Sequence, residues 1–350
     1  MKTTFISTSA ISAATRSSLM KVQQELADAQ KEMTTKRFAD VGKSLGFRTG
    51  QTISLRQEHS RLTTIIETNT TVSTRLKSTQ TTLKNLASNA QNFVGQLLGS
   101  RIGGANALGV QTEAQSRLES FLDTMNTSSG TDGYLLAGVN SDVKPLTEYF
   151  DSPTPASRQG VANAFLTEFG ITQSDPAVQN ISAADMKTFL DTTFADLFND
   201  PSWSTDWSSA SSQNMRSRIS TSELIETSTN AGEAAFRKLA KVYTMVADLG
   251  AANLSQPAFE TVIDEAIRVA GEAIQDLGDL QSKLGVAEQR VGDASERMSL
   301  QLDILTTQVT SLEAVDPYEA ATRVTELMTQ IETSYALTAR IMSLSILKYL

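Results

Sequence analysis

Cysteine is absent from this 350-residue chain, which excludes disulfides, zinc-thiolate centres, iron-sulfur clusters and thiol nucleophiles. The single histidine, His59, excludes a multi-histidine metal site. Aromatic residues are scarce at 6%, and residues 1 to 144 contain no proline. No apolar run approaches the ~20 residues needed to span a bilayer. The start, Met1-Lys2-Thr3-Thr4-Phe5-Ile6-Ser7-Thr8, lacks the apolar core of a cleavable signal peptide. Positive charge is also short, because 30 Lys and Arg face 39 Asp and Glu for a net charge of -9. That balance disfavours nucleic-acid partners and insertion at anionic membranes. What remains is 40% hydrophobic, enough for two or three domains with cores.

Five of the 7 prolines (Pro145, Pro153, Pro155, Pro176, Pro201) crowd into the middle of the chain. Proline breaks a helix interior at a cost of ~3 kcal/mol, so the flanks are free to form long helices and the middle is not. The middle also holds Trp203, Trp207 and a cluster of Phe150, Phe165, Phe169, Phe189, Phe194 and Phe198, material for a small core of its own. Residues 140–218 therefore read as an inserted domain. Within it, Ser182-Ala183-Ala184-Asp185 opens a helix carrying Met186, Phe189, Leu190, Phe194 and Leu197, while stretches around Trp203 and 208–212 suggest strands and turns.

The flanks carry a coiled-coil pattern. Leu62, Ile65, Asn69, Val72, Leu76, Thr79, Leu83, Leu86, Ala90, Phe93 and Leu97 alternate spacings of three and four without a slip. Asn69 either fixes the register from inside the seam or lies at its exposed end. A second seam runs through Phe259, Ile263, Ala266, Ala270, Ala273, Leu277, Leu280, Leu284, Ala287, Val291, Ala294, Met298, Gln301, Leu305, Gln308, Leu312 and Val315, ~85 Å if continuously helical. Ser255 and Pro257 suit its start, and Asp316-Pro317-Tyr318-Glu319 reads as a fresh helix N-terminus after it. Beside the second seam, Gly271, Gly278, Gly285 and Gly292 recur every seven residues, each costing up to ~1 kcal/mol of helix stability. Close approach by another backbone, from the insert or from a neighbouring subunit, would offset that cost. Drift on a solvent face explains the same spacing.

The two ends need partners. Residues 1–18 are rich in Ser and Thr and should be loose alone, whereas Leu19, Val22, Leu26, Ala29 and Met33 form a heptad stripe. Near the C-terminus Leu337, Ile341 and Leu344 fall on one helical face, while Tyr335, Ala339, Met342, Ile346 and Tyr349 fall on nearly the opposite one. The stripe can cover one face, leaving the other, with Leu347 and Leu350, to neighbouring molecules. Leu19, Val22, Leu26, Met33, Tyr335, Leu337, Ile341, Met342, Leu344, Ile346, Leu347 and Tyr349 are the predicted assembly residues.

No chemistry rises from the remaining motifs. His59 in Arg56-Gln57-Glu58-His59-Ser60-Arg61 has neighbours that do not face it on a helix and reads as solvated. Gly99-Ser100-Arg101-Ile102-Gly103-Gly104 lacks the Lys-Ser/Thr ending of a phosphate loop and reads as a connection. Asp175 and Asp185 do not match a calcium-loop spacing. No catalytic, cofactor or metal residue is predicted, and the chain does not read as an enzyme.

Four stretches carry a family resemblance. Leu284-Gly285-Val286-Ala287-Glu288-Gln289-Arg290-Val291 is similar to the C-terminal Leu-Gly-Ala and Gln-Asn-Arg-Leu pattern of the flagellin superfamily, departing from it at Glu288 and Gln289. Gly133-Tyr134-Leu135-Leu136-Ala137-Gly138-Val139-Asn140 and the ending Ser334-Tyr335-Ala336-Leu337-Thr338-Ala339-Arg340 through Leu350 resemble its hook-filament junction branch, the hook-associated protein 3 family. Lys36-Arg37-Phe38-Ala39-Asp40-Val41-Gly42 departs from the superfamily's usual signature and resembles the alpha-proteobacterial junction form. The resemblance implies a mainly α fold, an elongated flagellin-like helical bundle with a terminal coiled coil and a small mixed α+β insert. It implies residues 1–45 with 316–350 as the terminal assembly domain and 46–139 with 219–315 as the helical rod. It further implies a structural subunit of the bacterial flagellum, exported by the type III apparatus without a cleaved signal peptide and escorted by a chaperone. Such a subunit forms a ring of copies between hook-associated protein 1 and flagellin outside the cell. Flagellin itself, or an unrelated coiled-coil adhesin, are the competing readings.

Overall fold

The computed structural model describes residues 8–103, 107–130 and 133–343. In chain order the helices are α1 (Thr8–Thr35), α2 (Val41–Leu45), α3 (Thr49–Gly103), α4 (Ala107–Met125), α5 (Ala156–Phe169), α6 (Ala183–Asp191), α7 (Thr193–Asp196), α8 (Ala234–Asp248), α9 (Gln256–Glu313) and α10 (Pro317–Ser343). Strands β1 (Arg216–Arg218) and β2 (Leu224–Glu226) pair antiparallel, with Ser217 opposite Ile225. The predicted boundary signals are in use. Ser255 Oγ accepts from the Ala258 amide at 3.4 Å at the start of α9, Pro257 lies in its first turn, and Asp316 Oδ1 accepts from the Tyr318 amide at 2.8 Å at the start of α10. Two compact units result, Met1–Thr64 with Met298–Leu350, and Ile65–Arg297.

The larger unit is built around the two seams. From Leu76 to Leu97 every residue of the first seam is buried, and the second is buried without a break from Phe259 to Met298. Asn69 belongs to the interior: it is 1% exposed, and its Nδ2 donates to the Ile219 carbonyl at 2.9 Å and to Ser295 Oγ at 3.0 Å. α8 is buried on nearly all sides, from Ala235 to Ala247, as a helix at the centre of a bundle must be. Its Tyr243 ring sits 5.3 Å from Phe93 of α3 and 5.7 Å from Phe121 of α4, and burial pushes the Tyr243 hydroxyl up to about 12.

The Gly133–Asn140 stretch stitches this bundle to the insert. Arg75 Nη2, on α3, donates to the Tyr134 carbonyl at 2.6 Å. The Ala231 amide donates to the Leu136 carbonyl at 2.8 Å and the Ser211 amide to the Ala137 carbonyl at 3.0 Å. Gly133 and Gly138 take φ of 75° and 65°, and a Cβ would overlap the Ser141 carbonyl at the first and the Ser211 and Gln213 carbonyls at the second. Both glycines are demanded by the path of the backbone.

The insert's core is aromatic, as its composition predicts. Ring centroids step from Phe169 to Phe189 (5.2 Å), Phe194 (5.7 Å), Phe198 (5.2 Å), Trp207 (5.1 Å) and Trp203 (5.7 Å). Two local expectations are corrected. Trp203–Trp207 is a short helical turn and not a strand, because both indoles must reach the same core. The helix that begins at Ala183 stops at Asp191 and restarts at Thr193, since Thr192 has φ -114° and ψ -97°. The strand pair lies further on, at Arg216–Glu226.

Candidate assembly surfaces

α1 and α10 pack side by side in the smaller unit. Val22, Ala29 and Leu327 form a buried apolar cluster, flanked by half-buried Leu26, Val324 and Ile331, and Glu32 of α1 and Ala320 of α10 are buried as well. Gln23 Nε2 donates to the Tyr335 hydroxyl at 3.0 Å, and Arg323 Nη1 donates to Glu32 Oε2 at 2.9 Å. The N-terminal stripe is therefore used, with Leu19 half-buried and Met33 40% exposed at its ends.

The face it covers differs from the expectation. α10 turns Val324, Leu327 and Ile331 toward α1, and Ser334 and Thr338 continue that row half-buried. Among the described residues neither predicted apolar face is buried against α1: Tyr335 and Leu337 are each 53% exposed. The physical reason is register: the apolar row at Val324, Leu327 and Ile331, followed at spacings of three and four, arrives at Ser334 and Thr338, between the two faces. Met20 and Met328 are also exposed. Leu344, Ile346, Leu347 and Tyr349 lie outside the described residues, as do the side chains of Ile341 and Met342. Residues 8–18, expected to be loose, belong to α1. They lack proline and glycine and include Ala10, Ala13 and Ala14, so the paired part of the helix propagates through them at small cost.

The glycine column stands clear of the rest of the chain. Apart from their own helix backbone, no heavy atom of the described residues lies within 4 Å of a Cβ built on Gly271, Gly278 or Gly292, and Gly285 meets only Gln80 Nε2 at 3.7 Å. Among the described residues the insert makes no close approach to this column, and the room beside Gly271, Gly278 and Gly292 is open.

The residues weighed for chemistry have structural partners. Asp175 Oδ1 accepts from the Ala177 amide at 2.8 Å, and the Asp185 amide donates to Ser182 Oγ at 3.1 Å, so both sit in helix caps. The Gly99–Gly103 stretch is the end of α3 and not a connection, with Arg101 Nη2 donating to Asp264 Oδ2 at 2.7 Å. Gly104 lies outside the described residues. His59, on α3, is half-buried and lines an open groove with Arg37, Arg56 and Glu313. Among the described residues no cluster of three or more acidic or histidine side chains is placed to hold a metal, and no helix is long and apolar enough to cross a membrane.

Residues 6–141 match the bacterial flagellin N-terminal helical region, and residues 267–350 match the bacterial flagellin C-terminal helical region. The chain belongs to the flagellin family. Together the two matches take in well over half of the sequence and leave out the insert, α8 and the beginning of α9. No curated protein is significantly similar to the chain in sequence. Among solved structures, one from Vibrio parahaemolyticus that carries the description of a flagellar hook-associated protein is similar at 10% identity. The match covers 76% of this chain and 97% of that one, with a TM-score of 0.53, a likeness of fold. Members of this family are structural components of the bacterial flagellum, exported from the cell, and the chain is not an enzyme.

Proposed function

We propose that this flagellin-family chain is the subunit that joins the hook, through hook-associated protein 1, to the flagellin filament. Copies of the chain form a ring there, and a chaperone escorts each copy to the type III apparatus, which exports it without cleaving a signal. The observation that carries the reading is the α1–α10 pair: a coiled coil with a small buried apolar core and apolar side chains left outside on both sides of α10. Such a pair is completed when neighbouring subunits cover Tyr335, Leu337 and the predicted residues beyond them. The Gly133–Asn140 stretch and the C-terminal ending support the junction role over filament flagellin.

Self-association tests the choice. Purified chain should remain monomeric and add only to preformed hook ends, whereas unaided growth of long filaments would assign it to flagellin proper. The open glycine column is proposed as a place where a neighbouring subunit's backbone approaches. Replacing Gly271, Gly278, Gly285 and Gly292 together by Ala should raise monomer melting, at up to ~1 kcal/mol per site, and block incorporation. Higher melting with normal incorporation would remove that part of the proposal.

A further inference from the structure

The connector after α1 and the joint between α9 and α10 meet as a short antiparallel pair. The Phe38 amide donates to the Glu313 carbonyl at 3.0 Å and the Val315 amide donates to the Lys36 carbonyl at 3.1 Å, which sets Arg37 opposite Ala314. Two backbone hydrogen bonds are a thin hold on helices of 28 and 27 residues.

The Glu313 side chain strengthens that hold. It is 1% exposed, and both of its oxygens are taken by guanidiniums from different elements. Arg56 of α3 donates through Nε to Oε1 at 2.8 Å and through Nη2 to Oε2 at 2.6 Å. Arg37 of the connector pairs with Oε2. A buried carboxylate is costly unless paired, and a bidentate arginine pair is directional, so this cluster is satisfied in one alignment of the connector, α3 and the end of α9. Glu32 secures the other side of the connector: Oε1 accepts from the Ala39 amide at 3.1 Å, and Oε2 holds Arg323. Arg37, Phe38 and Ala39 all come from the Lys36–Gly42 stretch, where the chain departs from the superfamily pattern.

We infer that Glu313 is a positioning residue for assembly. It holds the α1–α10 pair in one register against the early turns of α3, so that the uncovered faces of the pair are presented in a fixed direction. This rests on the assembly role proposed above.

Absence of cysteine makes the test direct. Arg37 and Ala314 form the non-hydrogen-bonded kind of antiparallel pair, whose Cα atoms lie about 4.5 Å apart, within the span of a disulfide. The full-length chains to compare are wild type, Glu313→Gln, and Glu313→Gln with Arg37→Cys and Ala314→Cys. In the monomer, amide exchange at Phe38 and Val315 should be at least tenfold faster in Glu313→Gln, with exchange in α8 unchanged. Addition of purified Glu313→Gln to isolated hook ends should fall at least tenfold. With the cysteine pair it should return on oxidation and be lost again on reduction. Unchanged exchange, wild-type addition by Glu313→Gln, or a defect that the oxidised pair leaves in place would each overturn the inference. Exchange is read without assembly, so a wild-type chain that never adds to hook ends counts against the proposed function, and exchange alone then decides for or against the latch.

Discussion

Leu327→Ala probes how little holds the terminal pair together. Leu327 is 8% exposed and belongs to the buried apolar cluster between α1 and α10, with Val22 and Ala29. Truncating a buried leucine costs about 2–5 kcal/mol, and the lower end applies where the pocket wall is partly solvent, so about 2–3 kcal/mol is expected here. At 1.4 kcal/mol per factor of ten, the pair should open roughly 30- to 150-fold more often. Native-state amide exchange of the full-length monomer, read on peptides covering residues 19–33 and 320–337, measures this. Leu83→Ala is the control. Leu83 is fully buried in the larger unit, and its loss should lower the melting of that unit by about 3–5 kcal/mol without changing exchange in α1 and α10. Less than a threefold change for Leu327→Ala in those peptides, or an acceleration shared equally by α8, would refute the idea that this small core is a main hold on the pair.

Two further outcomes are expected in the larger unit. Asn69→Ala leaves the Ile219 carbonyl and the Ser295 hydroxyl without their shared donor, and chemical denaturation should show a loss of about 2–4 kcal/mol; a change under about 0.5 kcal/mol would be that of a surface site. Tyr243 ionises near pH 10 when unfolded and is pushed up to about 12 in the fold. Its contribution is complete below pH 10 and is lost as pH rises, reaching about 2–3 kcal/mol by pH 12. Tyr243→Phe should flatten that alkaline decline relative to wild type, and parallel pH profiles for the two chains would contradict the assignment.

The seams were legible because a coiled coil writes its buried positions into the sequence at alternating spacings, and nothing else needs to be known to find Leu76 or Leu277. What periodicity does not carry is whether a partner is there. Past Met298 the second seam keeps its spacing, but Gln301 and Gln308 are exposed and Leu305 and Leu312 only half-buried. Likewise, the apolar faces of α10 were visible in sequence, while the row that meets α1 is fixed by Leu327 and Ile331 further back. Glu313 had no periodic signature: a buried carboxylate is recognised only when Arg37 and Arg56, distant in sequence, are seen to converge on it. In the insert, composition announced an aromatic core correctly, yet short turns such as Trp203–Trp207 follow the rings they must bury and not a local pattern.

The most direct measurement replaces Tyr335 and Leu337 together by Ser and returns the full chain to flagellated cells that lack it, scoring incorporation into flagella beside wild type. Both side chains are half-exposed in the single chain, so incorporation should be lost, with the variant recovered as free subunits, while monomer stability falls by no more than the one exposed Gln23–Tyr335 hydrogen bond contributes, about 1 kcal/mol. Wild-type incorporation by the double variant would contradict it.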